Sequence, residues 1–159
     1  MSKPKQHIDK LCNYQPAVDF VKKIQADCQT LADQIDVPLE NIVGLAAEES
    51  EYGKGRIAMT YNNYFSMHAT APLQTGEVPS LKDPKVMVAT YDSFLNGGQS
   101  FVKRYGDAVR GIKDPTEFAK ALVKVRFNTA NSKTGGRDDF VPYLSGIIGA
   151  VKVRMSCSG

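Results

Sequence analysis

The chain has 159 residues, 42% hydrophobic and 23% charged, with three cysteines, two histidines and no tryptophan. That is enough for one domain with its own core and is ordinary for a globular protein. The net charge of +3 is spread along the chain without a dense basic run, so nucleic-acid binding is not indicated, and no apolar run reaches the length of a membrane span.

Residues 1–14 read as a polar arm ahead of a single domain, 15–159. Met1 to His7 contains no apolar segment, so no signal peptide is expected. Cys12, Cys28 and Cys157 are too few and too scattered for a disulfide framework or a zinc site. Two states remain open: one bridge with a thiol left over, Cys157 then tying down a tail, or three reduced thiols.

A helix is expected to start near Pro16, which suits a first helical position. Val18, Val21, Ile24, Cys28, Leu31 and Ile35 follow at helical spacing. Pro38 breaks the pattern and a second helix follows from about Leu39. On it Leu39, Ile42, Leu45, Ala46 and Tyr52 share one broad face with Glu49. Glu48 and Glu51 fall on the opposite side with Glu40, Asn41 and Gly44. Of three neighbouring glutamates, only Glu49 is expected to point inward.

A carboxyl among apolar neighbours resists ionisation, and the negative end of a helix dipole adds to that resistance. Gly53 and Gly55 place the helix end close by. An acid still protonated near neutral pH is suited to general-acid catalysis. The competing reading is a structural acid, paired with a buried arginine or held by backbone amides.

From Gly53 to about Tyr91 the chain is rich in turn signals: Ala71-Pro72, Thr75-Gly76, Val78-Pro79 and Asp83-Pro84. Short strand-like pieces such as Val86-Met87-Val88 suggest a loop-rich lobe with a small hairpin. Helices resume after Asp92, the first marked by Phe94, Leu95, Phe101, Val102 and Tyr105 and weakened by Gly97-Gly98. Asp114-Pro115-Thr116-Glu117 is a strong helix start, with Phe118, Ala121, Leu122 and Val125 as its core stripe. Residues 127–136 form a polar loop. Asp138 or Asp139 caps a last helix carrying Phe140, Tyr143, Leu144, Ile147, Ile148 and Val151.

With only His7 and His68, and no nucleophile motif around a cysteine, Cys–His catalysis is disfavoured. There is no histidine pair at metal-ligand spacing, no phosphate loop and no dinucleotide fingerprint. Carboxylate chemistry remains, and no metal or organic cofactor is implied.

Glu49-Ser50-Glu51-Tyr52-Gly53, then Asn62-Asn63-Tyr64-Phe65, resembles the signature of the glucosaminidase-type peptidoglycan hydrolases, family 73 of the glycoside hydrolases. That signature reads roughly Glu-Ser-Gly-Trp-Gly, then Asn-Asn-Leu-Phe-Gly-Ile-Lys. Thr75-Gly76-Glu77, Tyr91-Asp92-Ser93, Arg104-Tyr105 and the helix with Tyr143 follow in order, so the resemblance spans about residues 36–151.

It implies a mainly α (α+β), lysozyme-like domain whose loop or β-hairpin lobe flanks a cleft beside Glu49. It implies cleavage of β-1,4 bonds in the cell-wall glycan, after N-acetylglucosamine, with muramidase specificity as the near alternative. Glu49 matches the catalytic acid and Glu77 a second acid on the lobe. Tyr64 and Phe65 are expected as a sugar-stacking floor or as core. Asn62 and Asn63 would bind N-acetyl groups or hold a turn, and Tyr143 would line the groove or join the core. His68 stands where the family often has lysine. Phe127 stands where the family has a tyrosine whose hydroxyl supports catalysis, which leaves a non-catalytic glycan-binding module as an alternative. The fragment also resembles glycoside hydrolase toxins delivered by type VI secretion. Those lack signal peptides and are neutralised by periplasmic immunity proteins, and a phage endolysin released through a holin is the other route. A protein inhibitor would then occlude the cleft.

Overall fold

The structure is a computed structural model that describes residues 10–158. Residues 1–9, including His7 and most of the expected arm, lie outside the described residues. What remains of that arm is anchored: residues 10–13 are helical and Cys12 is bridged to Cys157. Cys28 is the free, buried thiol.

Helix α1 is Gln15–Ile35, with proline in its first turn and all six expected core residues buried. Pro38 is the N-cap of α2, Leu39–Ser50. A short helix α3, Arg56–Tyr61, opens the lobe that the turn signals marked as loop. Strands β1 (Gly76–Pro79) and β2 (Met87–Thr90) form the expected hairpin, antiparallel, with Glu77 opposite Ala89. Helix α4, Phe94–Val109, is capped by the Ser93 hydroxyl, which accepts from the Asn96 amide. Helix α5, Pro115–Lys124, begins at Asp114, whose carboxylate accepts from the Glu117 amide. A 3-10 turn, Ser132–Thr134, interrupts the following loop, and α6 is Phe140–Met155.

Helix α2 is the centre of the fold, packed between α1 and α6. The face expected to be polar is therefore largely buried: Asn41 and Gly44 are inside with Ile42 and Leu45. Gly44 explains how. A Cβ there would lie 2.9 Å from Ile148 Cα, so its absence lets α6 cross directly on α2. The glycine pair of α4 does the same work. A Cβ on Gly98 would lie 2.3 Å from Leu31 Cδ1 and one on Gly97 2.7 Å from the Asn62 carbonyl oxygen, so Gly98 seats α4 on α1, Gly97 admits the end of α3, and neither interrupts the helix.

Two smaller expectations are corrected. Val125 is exposed and ends α5, because the helix turns its Phe118–Ala119–Leu122 face to the core. Asp139 holds the N-cap position of α6 without a capping bond and pairs with Arg137, while Asp138 accepts from the Ser132 amide.

Candidate active site

Helix α2 ends within two residues of Glu49. Glu51 and Tyr52 adopt left-handed φ angles of 53° and 55°, followed by Gly53 at 78°. The Glu51 and Tyr52 amides both reach the Ala47 carbonyl, closing the helix. Ser50 locks this turn: its hydroxyl donates to the Ala46 carbonyl at 2.6 Å and accepts from the Gly53 amide at 2.9 Å. A Cβ at Gly53 would lie 2.8 Å from the Phe20 ring. Serine and glycine of the motif thus fix where the helix stops, just past Glu49.

The loop after α3 is fixed by Asn63. Its side-chain amide donates to the Met67 and Ala89 carbonyls, each at 2.9 Å, and its oxygen accepts from the Met67 amide at 2.9 Å. The Ala89 amide donates to the Met67 carbonyl, and Ala69 donates to Met87. One buried asparagine therefore ties the hairpin to the segment beside Glu49. Arg104 adds a clamp, its guanidinium donating to the carbonyls of His68 and Thr70.

Glu49 itself is half-buried and makes no ion pair among the described residues. The Ser66 hydroxyl donates to its main-chain carbonyl at 3.3 Å and also meets its side chain. Burial raises the Glu49 pKa well above the usual carboxylate range, and hydrogen bonding and repulsion from Glu48 raise it further. Ser66 and the charge of Lys82, in the hairpin turn, act the other way. The structural-acid reading requires a cation clamp or amide cage, and among the described residues no ion pair or backbone-amide bond holds the Glu49 carboxyl. Sequence reasoning put Glu48 on the opposite, polar side. The structure instead half-buries it, with its Oε1 out of solvent, on a helix packed against α6.

The remaining expected site residues separate. Glu77 is exposed on β1 and is not among the groups acting on Glu49. Phe65 is corrected to core: fully buried, it stacks on Phe101 at 5.3 Å and packs against Phe94. Asn63, 3% exposed with its bonds all internal, is corrected to the holder of the turn. Asn62 ends α3 at φ 58° and donates to the Tyr91 carbonyl. Tyr64 stays half-buried and stacks on Phe20 at 6.1 Å. It lies between two recesses along α1. One, of about 400 Å³, is lined by Phe20, Lys23, Tyr52, Gly53, Met59 and others. The other, of about 130 Å³, also includes Asn62 and Phe94. Glu49 lines neither recess; its carboxyl lies toward Ser66 and the hairpin turn. Tyr143 is exposed on α6 with the Arg137 guanidinium 3.5 Å above its ring. Phe127 packs edge-on against Phe101 and Tyr105, as an apolar ring should.

The profile of the glucosaminidase family, described as mannosyl-glycoprotein endo-beta-N-acetylglucosaminidase, matches residues 25–148. The chain belongs to the glucosaminidase family. It is therefore a glycoside hydrolase of lysozyme-like, mainly helical fold. This glucosaminidase is similar to a solved protein in a type VI secretion system effector-immunity complex from Pseudomonas protegens. The two are 53% identical over 93% of this chain and 99% of that one, with a TM-score of 0.85. It shares its fold with a peptidoglycan hydrolase from Sphingomonas sp. A1, at 24% identity over 89% of this chain and 98% of that one (TM-score 0.71). The glycoside hydrolase domain of Salmonella typhimurium FlgJ, in a C-terminally truncated form, matches at 20% identity over 86% of this chain and 97% of that one (TM-score 0.62). No curated protein sequence matches significantly. No described helix is long and apolar enough to cross a membrane.

Proposed function

We propose that this glucosaminidase cleaves the β-1,4 bond after N-acetylglucosamine in peptidoglycan, with Glu49 as general acid. The observation that carries the reading is a half-buried carboxyl, in no ion pair among the described residues, at the helix end beside the hairpin. Protonated, it delivers its proton to the leaving glycosidic oxygen as the sugar gains oxocarbenium character. Glu77 is the acid of the hairpin lobe, and we assign it stabilisation of that positive charge or activation of water. Tyr64 and Asn62 line the recesses along α1 and serve as outlying contacts for the glycan strand.

We further infer that the enzyme is an antibacterial toxin, exported by a type VI system and acting in the periplasm of the target cell. The similarity to a protein of a type VI effector-immunity complex supports this. So does the Cys12–Cys157 bridge, since disulfides persist in oxidising compartments. Its partner in the producing cell is then an immunity protein that presents a polar or acidic loop toward Glu49 and occludes the site.

Mass spectrometry of borohydride-reduced muropeptides tests the substrate assignment. Reduced N-acetylglucosamine ends are expected. Reduced N-acetylmuramic acid ends would reassign the enzyme as a muramidase, and absence of new ends would refute hydrolysis.

A further inference from the structure

Ser66 has no place in the mechanism above, yet its backbone and its hydroxyl are both unusual. Its φ is 51°, in the left-handed region that glycine adopts freely and a residue with a Cβ avoids. It is exposed between Phe65 and Met67, both buried in the core, so it is held from either side. Its hydroxyl donates to the main-chain carbonyl of Glu49 at 3.3 Å. That carbonyl is one of those a helix end leaves without an intrahelical donor. In a continuing helix the Gly53 amide would reach it, but that amide donates to the Ser50 hydroxyl instead. Among the described residues no other loop or turn amide takes its place. Asn63 fixes the loop that carries Ser66, through its bonds to Met67 and Ala89. The serine thus joins the hairpin lobe to the general acid residue itself.

We propose that Ser66 is a positioning residue for the general acid: its hydroxyl ties the Glu49 carbonyl to the Asn63 loop and so sets where the acid stands relative to a glycan lying between the helix end and the hairpin. This rests on the assignment of Glu49 as acid. A proton passes to the glycosidic oxygen only over a short, aligned approach, and a small displacement of the acid lengthens it. The last turn of a helix frays readily, and one bond from outside holds this turn at the residue that does the chemistry. A serine at a left-handed φ is strained where glycine would not be, so the hydroxyl offers something that glycine lacks. The same hydroxyl favours ionisation of the Glu49 carboxyl, as does the charge of Lys82 from the hairpin, while Glu48 from the same helix opposes it. Loss of Ser66 therefore keeps the acid protonated to higher pH.

The test compares wild type, Ser66→Gly and Ser66→Ala in Tm and in kcat and KM on soluble glycan fragments across pH. Ser66→Gly removes the hydroxyl and the backbone strain together, and Ser66→Ala removes the hydroxyl alone. Both should lower kcat by roughly tenfold with KM little changed, and both should carry the alkaline limb of kcat/KM to higher pH. Tm should be unchanged or raised in Ser66→Gly, so stability and activity part company. A lowered Tm with rates reduced equally at every pH would mark a merely structural role and overturn the proposal. Wild-type kcat in Ser66→Ala would overturn it too, because the hydroxyl would then be dispensable. Carbon-13 NMR of the Glu49 main-chain carbonyl needs no turnover. Its resonance should move in Ser66→Ala, and an unmoved resonance would show that the bond is not made in solution. If wild type released no reducing ends, the hydrolase assignment itself would fail, whereas the carbonyl resonance would still report on the tie.

Discussion

Reducing the Cys12–Cys157 bridge should cost this protein most of its stability margin. The bridged residues are separated by 145 positions, so the bond closes nearly the whole chain into a loop. Loop-closure entropy for that length is about 17 cal/mol/K, or about 5 kcal/mol at room temperature. A domain of this size shifts its Tm by roughly 2–4 °C per kcal/mol, so the expected fall is roughly 10–20 °C. Contacts around the bridge will oppose part of this: Arg154 still reaches the Leu11 carbonyl and Lys22 the Cys157 carbonyl. The assay is differential scanning fluorimetry with and without a thiol reductant, beside the Cys12→Ala/Cys157→Ala variant. Cys28 provides an internal control. Burial pushes its thiol far above the ordinary range, so it should resist thiol reagents while the other two react after reduction. A Tm drop of only a degree or two on complete reduction would show that the termini are held by packing alone, and the loop-entropy argument would be wrong for this fold.

The raised pKa of Glu49 also makes a stability prediction. The folded state binds its proton more tightly than the unfolded chain, whose carboxyl titrates near about 4.3. Stability from this group is full below that value and is lost as pH rises through the folded pKa. Glu49→Gln, which cannot ionise, should therefore gain on wild type as pH rises, measurable as a Tm difference that widens between acid and neutral buffers. Gly44→Ala should destabilise by about 1–3 kcal/mol in chemical denaturation, because its Cβ meets the backbone of α6. Gly146→Ala and Gly149→Ala, with nothing within 4 Å, should be neutral or stabilising by up to about 1 kcal/mol. Asn63→Ala strips three hydrogen bonds from buried backbone groups and should cost about 2–4 kcal/mol. An Asn63→Ala protein of unchanged Tm but raised KM would return that residue to substrate binding.

Much of this architecture was legible because local rules and global packing agree. Pro16, Pro38 and the Asp114-Pro115 start all fell where helices begin, and the apolar spacing of α1 named its core. The turn-rich stretch was read correctly as a separate lobe with a hairpin, although α3 was not foreseen. Its six residues, Arg56–Tyr61, are too short for a periodic pattern. The misreadings on α2 share one physical origin. Amphipathicity assumes one open solvent face per helix, and α2 keeps only half-buried positions such as Glu40, Glu48 and Glu49 because α6 lands on Gly44. That contact joins residues 104 positions apart, and glycine carries no hydropathy signal. The same burial drew Glu48 into the site unannounced. Lys82 and Ser66 were equally invisible, since hairpin placement and the fold of the Asn63 turn decide what faces Glu49. For Phe65 and Asn63 the motif left two roles open, substrate contact or structure, and only their burial decides for core and turn.

The claim on which the account stands is that Glu49 supplies the proton. Glu49→Gln, shown to be folded by circular dichroism, should release reducing ends from purified sacculi about 10²–10⁴-fold more slowly than wild type across the pH range. An undiminished rate in that folded variant would contradict the account and place the chemistry elsewhere in the molecule.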